Sequence, residues 1–282
     1  MHPISAWLDG GSWHAAAHSF FHHFAFEAAR YLIAVLVVWT LVHGVLRRRL
    51  AHRLISHWPA WRDVKREAMY SLSTLAVFAA LGVGMFVLVS NGQVTVYQDP
   101  DEYGQLWLWA SLPALLLWHD AYFYWTHRLL HTRWWYRHVH EVHHRSIQPS
   151  PWAAYAFHPL EALINGLVIP LAVLTVPLHV GVLFAFGVHQ VLRNAIGHAA
   201  VEVMPGGMGR HWLGRHITTT THHHLHHETA VGNYGLWFTW WDRWCGTEDG
   251  DYLRRLESAG GVQQPKETHA LQRLGAQPHV RL

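Results

Sequence analysis

Apolar residues are gathered into four long blocks separated by polar or basic stretches. The first covers residues 26–46 and stops at Arg47-Arg48-Arg49; the second covers residues 70–90 and stops at Asn91-Gly92. Each is close to the ~20 residues of helix that cross the hydrocarbon of a bilayer. A third block, residues 106–125, is interrupted near its end by His119-Asp120, and the fourth, residues 160–192, is longer and contains Pro170 and Pro177. The pattern predicts an all-α integral membrane protein of three transmembrane helices followed by a helical hairpin.

Charge placement orients those spans. Residues 47–66 carry Arg47, Arg48, Arg49, Arg53, Arg62, Lys65 and Arg66, whereas residues 93–103 carry only acids, so the first loop is expected on the cytoplasmic side. Threading onward, the third span returns to that side at His127 and the hairpin comes back to it near His198. The histidine-rich segments then share one face, as a cytosolic helical cap. No linker divides the chain, so residues 1–256 read as one domain, and residues 257–282, polar and without period, as a mobile tail.

Composition agrees and narrows the chemistry. Residues are 51% hydrophobic and only 14% charged, against roughly 25% charged in a soluble domain. The net charge of +3 lies between apolar blocks and forms no basic, aromatic-interleaved surface, so nucleic acid is not an expected partner. Cys245 is the single cysteine, which excludes an internal disulfide, a cysteine-rich zinc site and a four-cysteine iron-sulfur cluster. The start of the chain lacks the basic segment and small-residue cleavage site of a signal peptide. The 17 tryptophans are expected at membrane interfaces and need no cofactor role.

Histidine is the outlier, 28 residues against 21 lysines and arginines together. His14, His18, His22 and His23 precede the first block and receive no catalytic role. His127 and His131 are spaced i, i+4, which puts both imidazoles on one side of a helix. His140, His143 and His144 follow at i, i+3, i+4, and the same spacing returns at His223, His226 and His227. Each triplet is expected to present three nitrogens on one helical face. Eight nitrogens exceed the needs of one ion and suit two adjacent ions. His198, at the returning end of the hairpin, is a ninth candidate. Asp120, Glu161 and Asp242 are acceptors for the second N–H of a ligating imidazole, and His158, Asn194, His222 and Asn233 are further candidates for groups beside the ligands. His119, His138 and His224 read as further donors or neighbours.

These motifs resemble the fatty acid hydroxylase and sterol desaturase superfamily. Residues 120–131 are similar to its D-x-x-x-Y-W-x-H-R-x-x-H segment and His158-Pro159-Leu160-Glu161 to its H-P-x-E. The run from His223 through Asn233-Tyr234-Gly235 to Trp241-Asp242-Arg243 and Gly246-Thr247 is similar to its H-x-x-H-H, N-Y-G and W-D-R-x-x-G-T. The chain departs at His198-Ala199-Ala200, where many relatives carry H-x-N, at Asn194, where some carry histidine, and at Cys245, where an aromatic residue is usual. The resemblance implies two Fe ions that use O2 to hydroxylate or desaturate a lipid C–H bond in the membrane. It also implies a separate electron donor, a reductase or small redox carrier, because no dinucleotide fingerprint is present. Zinc has no redox change to offer such a reaction, although it can displace Fe(II) from nitrogen sites on purification.

Other readings account for less. His140-Glu141-Val142-His143-His144 is also HExxH, the signature of a zinc metallopeptidase with Glu141 as base, but that leaves six histidines unused. A metal transporter would carry its ligands at mid-membrane on broken helices. A carboxylate-bridged di-iron bundle needs two Glu-x-x-His pairs, and only Glu141 to His144 fits.

Overall fold

Long proline-free runs of leucine, valine, alanine and aromatic residues build the first two helices, α1 (Ser12–Trp39) and α2 (Trp61–Ser90). The computed structural model describes residues 12–259. Helix α1 begins well before residue 26, because its Ser/His/Ala/Phe start contains no helix breaker, and continues through a π-helical turn at Thr40–Val45. Helix α2 begins before residue 70, its charged Arg62, Asp63, Lys65 and Arg66 forming the first turns below the apolar length. It ends at the C-cap Asn91, and the next residue, Gly92, adopts φ +67, the left-handed conformation that glycine enters without steric cost.

Helix α3 (Gln105–Leu130) carries the third block and ends at His131. The fourth block folds as a hairpin. Its outgoing arm is α4 (Pro159–Gly166) and α5 (Val168–Thr175), and its returning arm is α6 (Val180–Gly197). Pro177 occupies the bend, whereas Pro170 lies in the first turn of α5, where a backbone N–H has no intrahelical partner to lose. Among the described residues, three helices are long and apolar enough to cross a membrane: residues 14–45, α2 and α6. Helix α3 is long enough, but tryptophans, His119 and Asp120 dilute its hydropathy and it is not among them.

Two apolar cores hold the bundle. Tyr31, Val35 and Val38 of α1 meet Leu75 of α2, Val191 and Ala195 of α6 and Tyr155. Leu115 of α3 meets Ala172 and Val173 of α5 and Phe186 of α6. At the end of the bundle where α3 and α6 begin, β1 (Val96–Tyr97) pairs in parallel with β2 (Leu178–His179) and ties the α2–α3 loop to the hairpin bend. The histidines gather at the opposite end, where α3 and α6 finish.

The cap comprises the turns Arg133–Trp135, Tyr136–His140 and Glu141–His144, then α7 (Thr220–Thr229), the one-turn helix Trp240–Trp244 and α8 (Tyr252–Ala259). Helix α8 takes in residues 257–259, which the sequence reading gave to the tail: Tyr252 and Leu256, one turn apart, pack on Leu225 of α7 and order the segment. The rest of that tail, residues 260–282, lies outside the described residues.

Ala200, just past α6, is buried with φ +65, a conformation that costs an alanine steric strain. It occupies the position where the resembling family carries asparagine, which enters that region more readily. Ala200→Gly relieves about 1–2 kcal/mol of left-handed strain against about 0.4–1 kcal/mol of added unfolded-state entropy, so a net rise in stability is expected, read as a higher melting midpoint in detergent. An unchanged or lower midpoint would argue against strain at this residue.

Candidate metal centre

Four separate pieces of chain deliver imidazoles to one buried place. His127 and His131 come from the last turn and C-cap of α3, and His198 from the C-cap of α6. His140 closes the π-helical turn that precedes Glu141–His144, a widened turn of the kind often found at functional sites. His223, His226 and His227 lie on α7, whose N-cap Thr219 accepts from His222 N at 3.2 Å.

The nine fall into two groups, each with its ligand atoms within 4.8 Å of one another: His127, His131, His140, His144 and His226, and His143, His198, His223 and His227. Neither triplet falls within one group, whereas the spacing predicts three nitrogens on one helical face. Residues i and i+4 are offset by about 40° around a helix and i+3 by about 100° from i+4. His140 and His144 therefore aim at one point and His143 at another, while on α7 His223 and His227 aim together and His226 crosses to the first group.

Hydrogen bonds fix the tautomers. The Nδ1–H groups donate to Tyr234 O from His127 (2.9 Å), to Glu161 Oε1 from His140 (2.8 Å), to Asn194 O from His198 (2.8 Å) and to Gly232 O from His226 (2.7 Å). Each neutral ring then presents a lone pair at Nε2. The Nε2 atoms of His127 and His140 stand 3.1 Å apart, and those of His198 and His223 stand 2.9 Å apart. With both Nδ1–H groups donating, the His127–His140 pair turns two Nε2 lone pairs toward each other, an arrangement that a bound cation relieves. The donor set thus fits a metal pair.

Burial, then the neighbouring imidazoles, pushes the pKa of His140, His143, His144, His223, His226 and His227 well below the ordinary 6.5, and burial takes His198 down to about 4. These values are lower folded than unfolded, so the unfolded chain binds more protons as pH falls below about 6.5. The stability they contribute is full above that pH and is lost toward the folded values. The melting midpoint of metal-free protein is expected to fall between about pH 7 and pH 5; a flat profile would contradict neutral burial.

The other candidates do different work. Glu161 is buried, and the H-P-x-E motif explains how it gets there: His158 is the N-cap of α4, Pro159 the first residue and Glu161 the third. His158 is in neither group; its Nδ1 accepts from Leu160 N at 3.2 Å. Asp120 reaches no imidazole and instead accepts from Trp237 N (2.9 Å), Phe238 N (3.2 Å) and Trp240 Nε1 (2.9 Å), pinning the last loop to α3. Asp242 accepts from Tyr234 N and Gly235 N, both at 2.8 Å, and lies 3.6 Å from Nε2 of buried His222, which is in neither group. Gly235 has no room for a side chain, since a Cβ would sit 2.5 Å from Phe238 O and 2.8 Å from Asp242 Oδ2. Asn194 acts through its carbonyl on His198 and through its amide on Ala154 O (2.6 Å), and Asn233 donates to His222 O (3.1 Å). His119 packs between Phe186 and Trp237, His138 stacks on Trp134, and His224 lies 3.9 Å from Glu228.

Two tyrosines escaped the sequence reading. Tyr234 has its ring centroid 4.9 Å from that of His131, and Tyr136 lies 5.5 Å from both His131 and His144, so both flank the five-histidine group. Tyr234 stood within a quoted motif, but nothing in its spacing marked the ring. Among the flanking groups, Glu161 is the carboxyl paired with His140 at 2.8 Å, and Glu161→Gln should weaken metal binding about 10–100-fold. Competition with a chelator measures this, and unchanged affinity would assign Glu161 to packing alone.

The family model for fatty acid hydroxylase matches residues 112–247, which include all nine histidines. The chain is 32% identical over 200 residues to a Delta(7)-sterol 5(6)-desaturase of Aspergillus fumigatus, covering 66% of this chain and 62% of that protein. It is 32% identical over 198 residues to a Delta(7)-sterol 5(6)-desaturase of Gibberella zeae, covering 69% and 59%. To lathosterol oxidase of Homo sapiens it is 30% identical over 195 residues, covering 68% and 64%. The chain thus spans about three fifths of the length of these curated relatives. No solved structure matches it. With the motif histidines inside the matched region and converging in space, the chain belongs to the fatty acid hydroxylase and sterol desaturase superfamily.

Proposed function

We propose that the chain is a membrane-bound non-haem di-iron oxidoreductase that uses O2 to desaturate or hydroxylate a lipid C–H bond. The observation that carries this reading is the pair of buried, tautomer-fixed imidazole groups, five and four, side by side at one end of an apolar bundle. The names of the sterol-desaturase and lathosterol-oxidase relatives favour a sterol or sterol-like lipid as substrate.

His127, His131, His140, His144 and His226 would hold one ion and His143, His198, His223 and His227 the other. When bound, an iron pair supplies the redox chemistry that reduces O2 and removes hydrogen from an unactivated carbon. The protein's part is fixation: Glu161 and the carbonyls of Asn194, Gly232 and Tyr234 lock four rings with Nε2 inward, and burial keeps them neutral and dry. Electrons come from a separate reductase or small carrier. The arginine-rich 47–66 loop supports a cytoplasmic position for the cap.

The peptidase reading is disfavoured by Glu141, which is exposed and directed at Arg145, 3.7 Å away, on the outer side of its turn. The groups also lie where α3 and α6 end rather than midway along them, unlike transporter sites. The test is to load detergent-purified protein with Fe(II) without air, count metal, then add O2, a reductant and a sterol mixture. Two irons per chain and an O2-dependent lipid product are expected. Full turnover in stripped protein, or peptide cleavage with zinc, would overturn the proposal.

A further inference from the structure

The cap has an apolar groove that the metal centre does not use. It measures about 410 Å³ and lies between Leu213 and Ile217 on one segment and Phe238, Trp240 and Trp244 on another, the two segments being joined by the Ile217–Phe238 bridge. The volume falls in the range of small-ligand sites. The one charged residue lining it, Arg243, is turned to Glu248 at 2.9 and 3.1 Å. Two of its lining residues, Leu213 and Trp244, are 52% and 71% exposed, and Trp212, next to Leu213 in the chain, is 74% exposed. A concentrated patch of this kind marks an interaction surface rather than the scattered apolar exposure of ordinary protein surfaces.

What covers the patch follows from its surroundings. Trp244 contacts Trp241 (centroids 5.4 Å), and Trp241 contacts Trp125 of α3 (6.0 Å). Trp125 belongs to an exposed apolar stripe on α3 that includes Trp118 and Leu129, at i, i+7 and i+11 on one helical face. The groove is therefore continuous with the outer apolar surface of the bundle. Exposed Arg215 beside the groove, and Arg128 over the Trp125 ring at 5.8 Å, give the cation-and-tryptophan composition that settles at the headgroup level.

We propose that this groove docks the hydrocarbon tail of a bilayer phospholipid, so that the 213–217 and 238–244 side of the cap is sunk into the membrane interface. The bound tail is separated from the centre by one layer of chain: Thr218, next to Ile217, lines a cavity of about 20 Å³ that reaches His223. This inference does not depend on what the centre catalyses.

The unmodified full chain, reconstituted in nanodiscs with phosphatidylcholine and phosphatidylglycerol, is irradiated with a phospholipid carrying a diazirine in its acyl tail. Adducts are then mapped by mass spectrometry. Adducts on residues 211–217 and 238–244 are expected, besides those on α1 and α2. Trp244→Glu should remove the cap adducts and leave those on α2 unchanged. In a second arm, nitroxides on Leu213→Cys and Trp244→Cys, each in a Cys245→Ser background, should favour collision with O2 over a water-soluble nickel chelate, as a Leu72→Cys label on α2 does. Adducts confined to the bundle, or cap labels more open to nickel than to O2, would overturn the proposal whatever the enzyme's activity.

Discussion

His143→Ala and His226→Ala are each expected to lower turnover by more than about 100-fold while leaving the chain in the membrane, and to lose different ions. His226 belongs to the five-nitrogen group and His143 to the four-nitrogen group, although each sits in the middle of its triplet. Removing His226 leaves four nitrogens at the first position, whereas removing His143 leaves three at the second, so metal content should fall further in His143→Ala. Metal counting on both variants, with O2-dependent lipid oxidation measured in parallel, checks the assignment. Retained turnover in both would count against a catalytic metal pair, and equal metal loss would count against the split.

The second large effect is expected away from the ligands. Asp242 is fully buried and receives three donors: Tyr234 N, Gly235 N and Thr247 Oγ1, the last at 2.7 Å. Asp242→Ala leaves the Tyr234 and Gly235 N–H groups without their acceptor in a buried site and Thr247 Oγ1 with Tyr124 Oη at 3.0 Å, at a cost of about 3–5 kcal/mol. Because the Tyr234 carbonyl holds the His127 ring, the loss should spread to the metal centre. The apparent melting temperature in detergent should drop by several degrees, and cleavage between residues 230 and 250 by a soluble protease should quicken. A variant that melts within about a degree of the parent would show that Asp242 is not the keystone of this loop.

The helices and the placing of eight of the nine histidines on helical turns were legible because both rest on local periodicity; His198 has no such spacing. A block of about 20 apolar residues signals a span, and repeated i, i+3, i+4 spacing signals imidazoles on a helix. Element ends were read less well. No unbroken apolar block announces that residues 12–25, where four histidines interrupt the alanines and phenylalanines, extend α1, or that Tyr252 and Leu256 find Leu225 and order α8 through residue 259. Partition of the ligands was not legible either, since it depends on how α7 faces the 140–144 turns, a tertiary relation absent from the spacing. The same limit explains the carboxylates. Glu161 meets His140, but Asp120, equally plausible by composition, is taken by the backbone of residues 237–238 more than a hundred positions away.

The most direct measurement is anomalous scattering at the iron edge from Fe(II)-loaded protein. Two separate peaks are predicted, one enclosed by the Nε2 atoms of His127, His131, His140, His144 and His226, the other by those of His143, His198, His223 and His227. A single peak, or a lone ion held by His140 and His144 with Glu141 beside it, would contradict the account.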